Sequence, residues 1–157
     1  MDGIFNAVDI FKIAETIEKN GAKFYSDAAK LFPGEDVGKM FANLTEWELQ
    51  HKKVFAEMRG KITQQHPKLG PGTEEYKSVA ALSTFSLWSG PYRQLSEIEN
   101  REDAIRQALT KEKDTIVFYV GLKDFVASKE DKEIINDIIK EEMRHIAILT
   151  EALGNKI

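Results

Sequence analysis

Residues 44–55 read LTEWELQHKKVF, with Leu44, Glu48, His51 and Phe55 at spacings of four, three and four. On a helix these four share one stripe, so a carboxylate and an imidazole fall on the face that should be buried. The second half of the chain repeats the arrangement. An offset of 94 residues aligns Ala14 with Ala108, Glu18 with Glu112, Lys19 with Lys113, Phe24 with Phe118, Tyr25 with Tyr119, Glu48 with Glu142 and His51 with His145. Each half therefore carries a helical Glu 30 residues before a Glu-x-x-His pair. A fold that buries all of these stripes brings four carboxylates and two imidazoles into its core.

Four segments carry the helical period. The first runs from about Val8 to Leu31, with Phe11, Ala14, Gly21 and Tyr25 on its apolar stripe and Glu18 set among them. Pro33-Gly34 is strong turn chemistry. A second helix, about Glu35 to Arg59, carries Val37, Phe41, Leu44, Glu48, His51, Phe55 and Met58, and Gly60 is its expected stop. The third opens at Asn100, an N-cap with Asp103 three residues on, and carries Ile105, Ala108, Glu112, Thr115, Tyr119 and Leu122. Ser128 with Asp131 repeats that signal for the fourth, whose stripe is Ile135, Ile138, Glu142, His145, Leu149 and Ala152, with Gly154 near its end.

The connections near Pro33 and Ser128 are short, which makes helices one and two, and helices three and four, antiparallel neighbours. Between them lie about residues 60–100, with Pro67, Pro71 and Pro91 and an apolar run from Val79 to Trp88. A loop of that length needs a purpose. If helices two and three run parallel, the chain must return along a bundle roughly 36 Å long, which takes at least about 11 extended residues. The expected fold is all-α, one domain over residues 1–157, with a helical hairpin at about 8–59, a crossover at about 60–100 and a second hairpin at about 101–154.

Composition excludes several function classes. The chain is 42% hydrophobic and 31% charged, in the range of a soluble globular protein. A net charge of -4 gives no basic footprint for nucleic acid. There is no cysteine, hence no disulfide, thiolate nucleophile or sulfur-held iron in this chain. MDGIFNAVDIF lacks the basic start and apolar run of a signal peptide, and no stretch approaches the roughly 20 apolar residues of a membrane span. A cytoplasmic location is the expectation.

Carboxylates gathered in a core without cations repel one another and lose their hydration. They can share protons. Two imidazoles beside them make a metal site the less costly solution, because i and i+3 on one helical face let Glu and His reach a common centre. Oxygen and nitrogen donors without sulfur suit iron or manganese, and zinc is chemically compatible.

The stretches IEKNGAKFYSDAA and WELQH in the first half, with KEKDTIVFY and EEMRH in the second, resemble the rubrerythrin branch of the ferritin-like di-iron carboxylate family, in particular short members without a rubredoxin domain. The resemblance covers all four helices and implies a ferritin-like four-helix bundle of two antiparallel hairpins joined by a long crossover. It implies two iron ions, with Glu18 and Glu112 as terminal ligands, Glu48 and Glu142 as bridging, catalytic carboxylates, and His51 and His145 each completing one metal. Tyr25 and Tyr119 look like hydrogen-bond donors behind the ligands. Rubrerythrins carry a further Glu three residues after the terminal one on the third helix; here Thr115 stands there, which bears on peroxide chemistry more than on metal binding.

The function implied is that of a di-iron redox enzyme reducing hydrogen peroxide or dioxygen, supplied with electrons by a separate donor such as a rubredoxin, and assembled as a homodimer. The same ligands serve iron storage with ferroxidase activity, manganese catalase chemistry and hydroxylation. A metal-free helical interaction module is the remaining alternative, and it leaves the Glu and His stripes without a purpose. His66 and the remaining Lys and Glu residues read as solvated; Glu46 and Glu141, adjacent to the ligand face, read as solvated too, with a supporting place behind the ligands as the alternative. Trp47 reads as packing against a neighbouring helix or subunit, and Phe85, Trp88 and Tyr92 as interface or capping aromatics.

Overall fold

The computed structural model describes residues 7–67, 95 and 100–155; the expectations for Val79–Trp88, including Phe85 and Trp88, and for Tyr92 lie outside the described residues. Four helices form a bundle: α1 (Ala7–Leu31), α2 (Asp36–Gln65), α3 (Arg101–Leu122) and α4 (Lys129–Gly154). A short 3-10 turn, Lys123–Phe125, follows α3. None of these helices is long and apolar enough to cross a membrane.

Pairs of touching residues fix the directions. Phe11 meets Phe55 and Tyr25 meets Phe41, so α1 and α2 are antiparallel. Tyr25 reaches Glu112 while Tyr119 reaches Glu18, so α1 and α3 are also antiparallel. Lys61 pairs with Asp131 and His51 with Glu142, giving the same relation for α2 and α4. Helices α2 and α3 therefore run parallel.

Local chemistry explains three of the ends. Asn100 accepts a hydrogen bond from the Asp103 N–H and Ser128 accepts one from the Asp131 N–H, each satisfying an otherwise orphaned donor of a first turn. Between α1 and α2 the chain turns through Gly34, whose φ of 76° is a left-handed conformation that favours glycine. The expected stop of α2 at Gly60 is overturned: the helix continues to Gln65. A helical glycine costs about 1 kcal/mol relative to alanine. Here its neighbours offset that, since Arg59 pairs with Glu15 of α1, Lys61 with Asp131 of α4, and Ile62 packs on the core.

Helix α2 sits close against the turn that precedes it. A Cβ on Gly38 would stand 2.1 Å from the backbone oxygen of Phe32. Because that neighbour is backbone and cannot rotate away, Gly38→Ala is expected to destabilise the fold by about 1–3 kcal/mol, read as a lowered melting temperature. An unchanged melt would mean that the turn yields freely.

The core holds Phe11, Ile17, Phe41, Leu44, Phe55, Ile105, Leu122, Ile135 and Leu149, all essentially without solvent contact. Each such side chain contributes roughly 1.5–3 kcal/mol by burial. Phe55 joins Phe11 on α1 to Tyr119 on α3, with ring centroids 6.1 and 5.0 Å away. Lys111, expected among the solvated charges, is instead buried, with its ammonium 5.7 Å from the centroid of the Phe24 ring. Burial pulls its pKa down to about 8 against the raising charge of Asp114.

Candidate metal centre

The apolar stripes of all four helices are interrupted at one level by Glu18 on α1, Glu48 and His51 on α2, Glu112 on α3, and Glu142 and His145 on α4. All six are buried, none exposed by more than 2%. Helix geometry supplies the convergence. Each Glu-x-x-His pair projects from one face of its helix, and a Glu from the other hairpin meets it.

Two overlapping groups of ligand atoms result. Glu18, Glu48, His51 and Glu142 offer one set and Glu48, Glu112, Glu142 and His145 the other; within each set the atoms lie within 4.8 Å of one another. Glu48 and Glu142 belong to both. His51 Nδ1 lies 2.9 Å from Glu142 Oε1 and 3.6 Å from Glu18 Oε2. His145 Nδ1 lies 2.9 Å from Glu142 Oε2, 3.2 Å from Glu48 Oε1 and 3.4 Å from Glu112 Oε1.

The tyrosines cross between the hairpins. Tyr25 donates to Glu112 Oε1 at 2.5 Å, and Tyr119 donates to Glu18 Oε1. Each hydroxyl thereby holds one oxygen of a buried carboxylate. The other oxygens, Glu18 Oε2 and Glu112 Oε2, have no hydrogen-bond partner among the described residues, and neither do Glu48 Oε1, Glu142 Oε2 and His145 Nδ1. Buried polar atoms are normally satisfied. Five orphaned donor atoms of metal-ligand type around one point fit a cation-binding centre.

Two residues outside the expected ligand set touch the centre. Glu141, read from sequence as solvated, places Oε2 2.6 Å from His51 Nε2 although half of its side chain is exposed. Trp47 lies parallel to the His145 ring, with centroids 5.3 Å apart and planes inclined by 14°. Thr115 is buried, and its hydroxyl lacks a hydrogen-bond partner among the described residues. His66 and Glu46 are exposed.

Without a metal the cluster holds protons. Burial, followed by the charges of Glu142, Glu18 and Glu112, raises the Glu48 carboxyl well above its ordinary value. Burial and the Glu142 charge push Glu112 up to about 7 against the lowering influence of His145. Burial favours a neutral imidazole at His51 and His145, but the surrounding carboxylates outweigh it and raise them to about 12 and about 9. Burial also works to raise Glu18, yet its contacts with Glu48, His51 and Tyr119 keep it below its ordinary value.

These shifts give a signed prediction. Raised groups favour the protonated folded state: the stability from Glu112 is complete below 4.5 and lost as pH rises through about 7, and that from His145 is complete below 6.5 and lost through about 9. Glu18 acts oppositely, and its contribution is lost only in acid, as pH falls below 4.5 through its lowered value. The metal-free protein is therefore expected to melt at lower temperature as pH rises from about 5 to about 9. The gain on adding Fe(II) should grow over the same range, because the ligands bind metal in deprotonated form. Melts followed by circular dichroism, with chelator and with anaerobic Fe(II), check both slopes; parallel curves would count against proton displacement.

Comparison with known proteins places this geometry in context. The rubrerythrin family model matches residues 9–153. A crystal structure at 2.30 Å from Thermotoga maritima, described as a ferritin-like diiron-carboxylate protein, is similar to this chain with a TM-score of 0.70 and 22% identity, covering 98% of this chain and 97% of the other. At that identity the likeness is one of fold, and the fold is a ferritin-like four-helix bundle. No curated protein matches in sequence.

Proposed function

Since the chain belongs to the rubrerythrin family, we propose that it is a di-iron carboxylate redox enzyme that reduces hydrogen peroxide or dioxygen. The observation that carries this reading is the pair of overlapping ligand sets sharing Glu48 and Glu142, with unpartnered oxygens at their centre. Glu18, Glu48, His51 and Glu142 would hold one metal and Glu48, Glu112, Glu142 and His145 the other. Two iron ions, when bound, would supply a pair of electrons to one oxidant.

The protein's part is positioning and proton handling. Glu48 and Glu142, common to both ligand sets, would hold both metals. Tyr25 and Tyr119 each hold one oxygen of Glu112 and Glu18, which orients the ligands before metal arrives. Phe11, Phe41, Leu44 and Phe55 are buried on the same helix stripes as the ligands of α1 and α2. Oxygen donors favour a hard cation, and with no cysteine in the chain the electrons come from a separate donor, such as a rubredoxin. The reading includes a homodimer.

The test is consumption of hydrogen peroxide by iron-loaded protein kept reduced through a rubredoxin and its reductase, measured against equal free iron. Sustained turnover supports the proposal. Oxygen uptake without peroxide turnover would select dioxygen as the oxidant, and neither activity would refute the redox reading. Iron storage is separated by size: mineral needs a closed shell, whereas this reading expects a dimer on size exclusion.

A further inference from the structure

The offset of 94 residues relates the contacts around the centre in pairs: Tyr25 donates to Glu112 and Tyr119 to Glu18, and each histidine turns its Nδ1 toward carboxylates of both halves. The correspondence fails at positions 47 and 141, the residues immediately before the two shared glutamates. Position 141 is a carboxylate 2.6 Å from His51 Nε2. Position 47 is an indole stacked on the His145 ring. No hydrogen-bond partner faces His145 Nε2 among the described residues.

The two contacts have different consequences for the ring they touch. Once a metal displaces the proton of Nδ1, a carboxylate on Nε2 keeps the remaining proton there and leaves the Nδ1 lone pair facing the cluster. It also fixes the ring's orientation and makes the inner nitrogen a better donor to a metal. An indole face can fix the orientation of an imidazole but offers no acceptor for Nε2–H. The direct ligand sets are otherwise matched, each being one imidazole and three carboxylates, two of them shared.

We propose that Glu141 is a positioning residue that makes the two metal positions unequal. The position served by Glu18 and His51 fills first and more tightly; the position served by Glu112 and His145 is the looser one. This rests on the di-metal reading above. It goes beyond that reading by assigning an order of filling, and a cause for it that lies outside the ligands.

Anaerobic Fe(II) titration followed by calorimetry, with Mössbauer spectra at one and two equivalents, tests the order. The unaltered chain is expected to bind in two steps whose affinities differ by about 10–100-fold, with a single ferrous environment at one equivalent. Glu141→Ala should weaken the tight step by that factor, leave the loose step unchanged and populate two environments at one equivalent. Glu141→Gln retains an acceptor oxygen and should recover part of the separation, and it decides the matter if the alanine variant fails to fold. Trp47→Phe should leave the two steps apart. Equal affinities in the unaltered chain, an equal loss at both steps in Glu141→Ala, or a collapse of the separation in Trp47→Phe would overturn the proposal while leaving the di-metal reading intact. No Fe(II) binding by the unaltered chain would overturn both.

Discussion

After anaerobic loading and removal of loosely held ions, Glu48→Ala is expected to retain less than one metal per chain where the unaltered protein retains two. Glu48 contributes an oxygen to both ligand sets, so its loss leaves each with two carboxylates and one imidazole. Removing a group that merely orients a ligand costs about 10–100-fold in affinity or activity, so deleting a shared ligand should lower peroxide consumption by about 100-fold or more. Glu18→Ala provides the contrast. Glu18 belongs to one set alone, so that variant should hold close to one metal, at the position completed by His145. Elemental analysis gives the count, and circular dichroism confirms that the bundle remains. Two metals retained in Glu48→Ala would refute the shared-ligand assignment, and a loss of one metal in both variants would mean that the carboxylates act separately.

The sequence carried most of this centre because the centre is built on helical period. Glu18, Glu48, His51, Glu112, Glu142 and His145 all fall on stripes that are otherwise apolar, and a repeated polar interruption of a buried stripe is visible in one dimension. Asn100 and Ser128 were equally legible, since capping depends on a residue and its neighbour three positions on. Where tertiary contact decides, the sequence was silent or misleading. Gly60 reads as a stop, but α2 continues because Glu15 and Asp131 on other helices hold the residues beside it. Glu141 lies off its own stripe and half in solvent, so only the approach of α2 to α4 reveals its contact with His51. The 94-residue alignment holds one hint, since it sets Glu141 against Trp47, two unlike residues beside identical ligands. Lys111 was read with the solvated charges for a similar reason: its place over the Phe24 ring depends on how α1 meets α3.

Glu48 also measures what the centre costs the metal-free fold. In chelated protein, Glu48→Met is expected to raise the melting temperature, although it removes a metal ligand. Burial and the charges of three neighbouring carboxylates all oppose ionisation of Glu48, and methionine fills a similar volume without a charge or a proton to place. The substitution removes the contact of Glu48 with Glu18, but Glu18 keeps Tyr119 and His51, and His145 Nδ1 keeps Glu142 and Glu112 within 3.4 Å. Replacing buried ionisable groups by apolar ones of like volume often stabilises by about 1–4 kcal/mol. At about 2–4 °C per kcal/mol for a chain of this size, the rise should be several degrees. Added Fe(II) should reverse the order, because binding stabilises the unaltered chain by mass action and the variant has lost a ligand to both metals. Such a crossing would mean that the six buried ionisable residues serve the metal at the expense of the empty fold. A metal-free melt that falls in Glu48→Met would instead mean that Glu48 is a structural hydrogen-bonding partner, and would favour the metal-free interaction module over the redox enzyme.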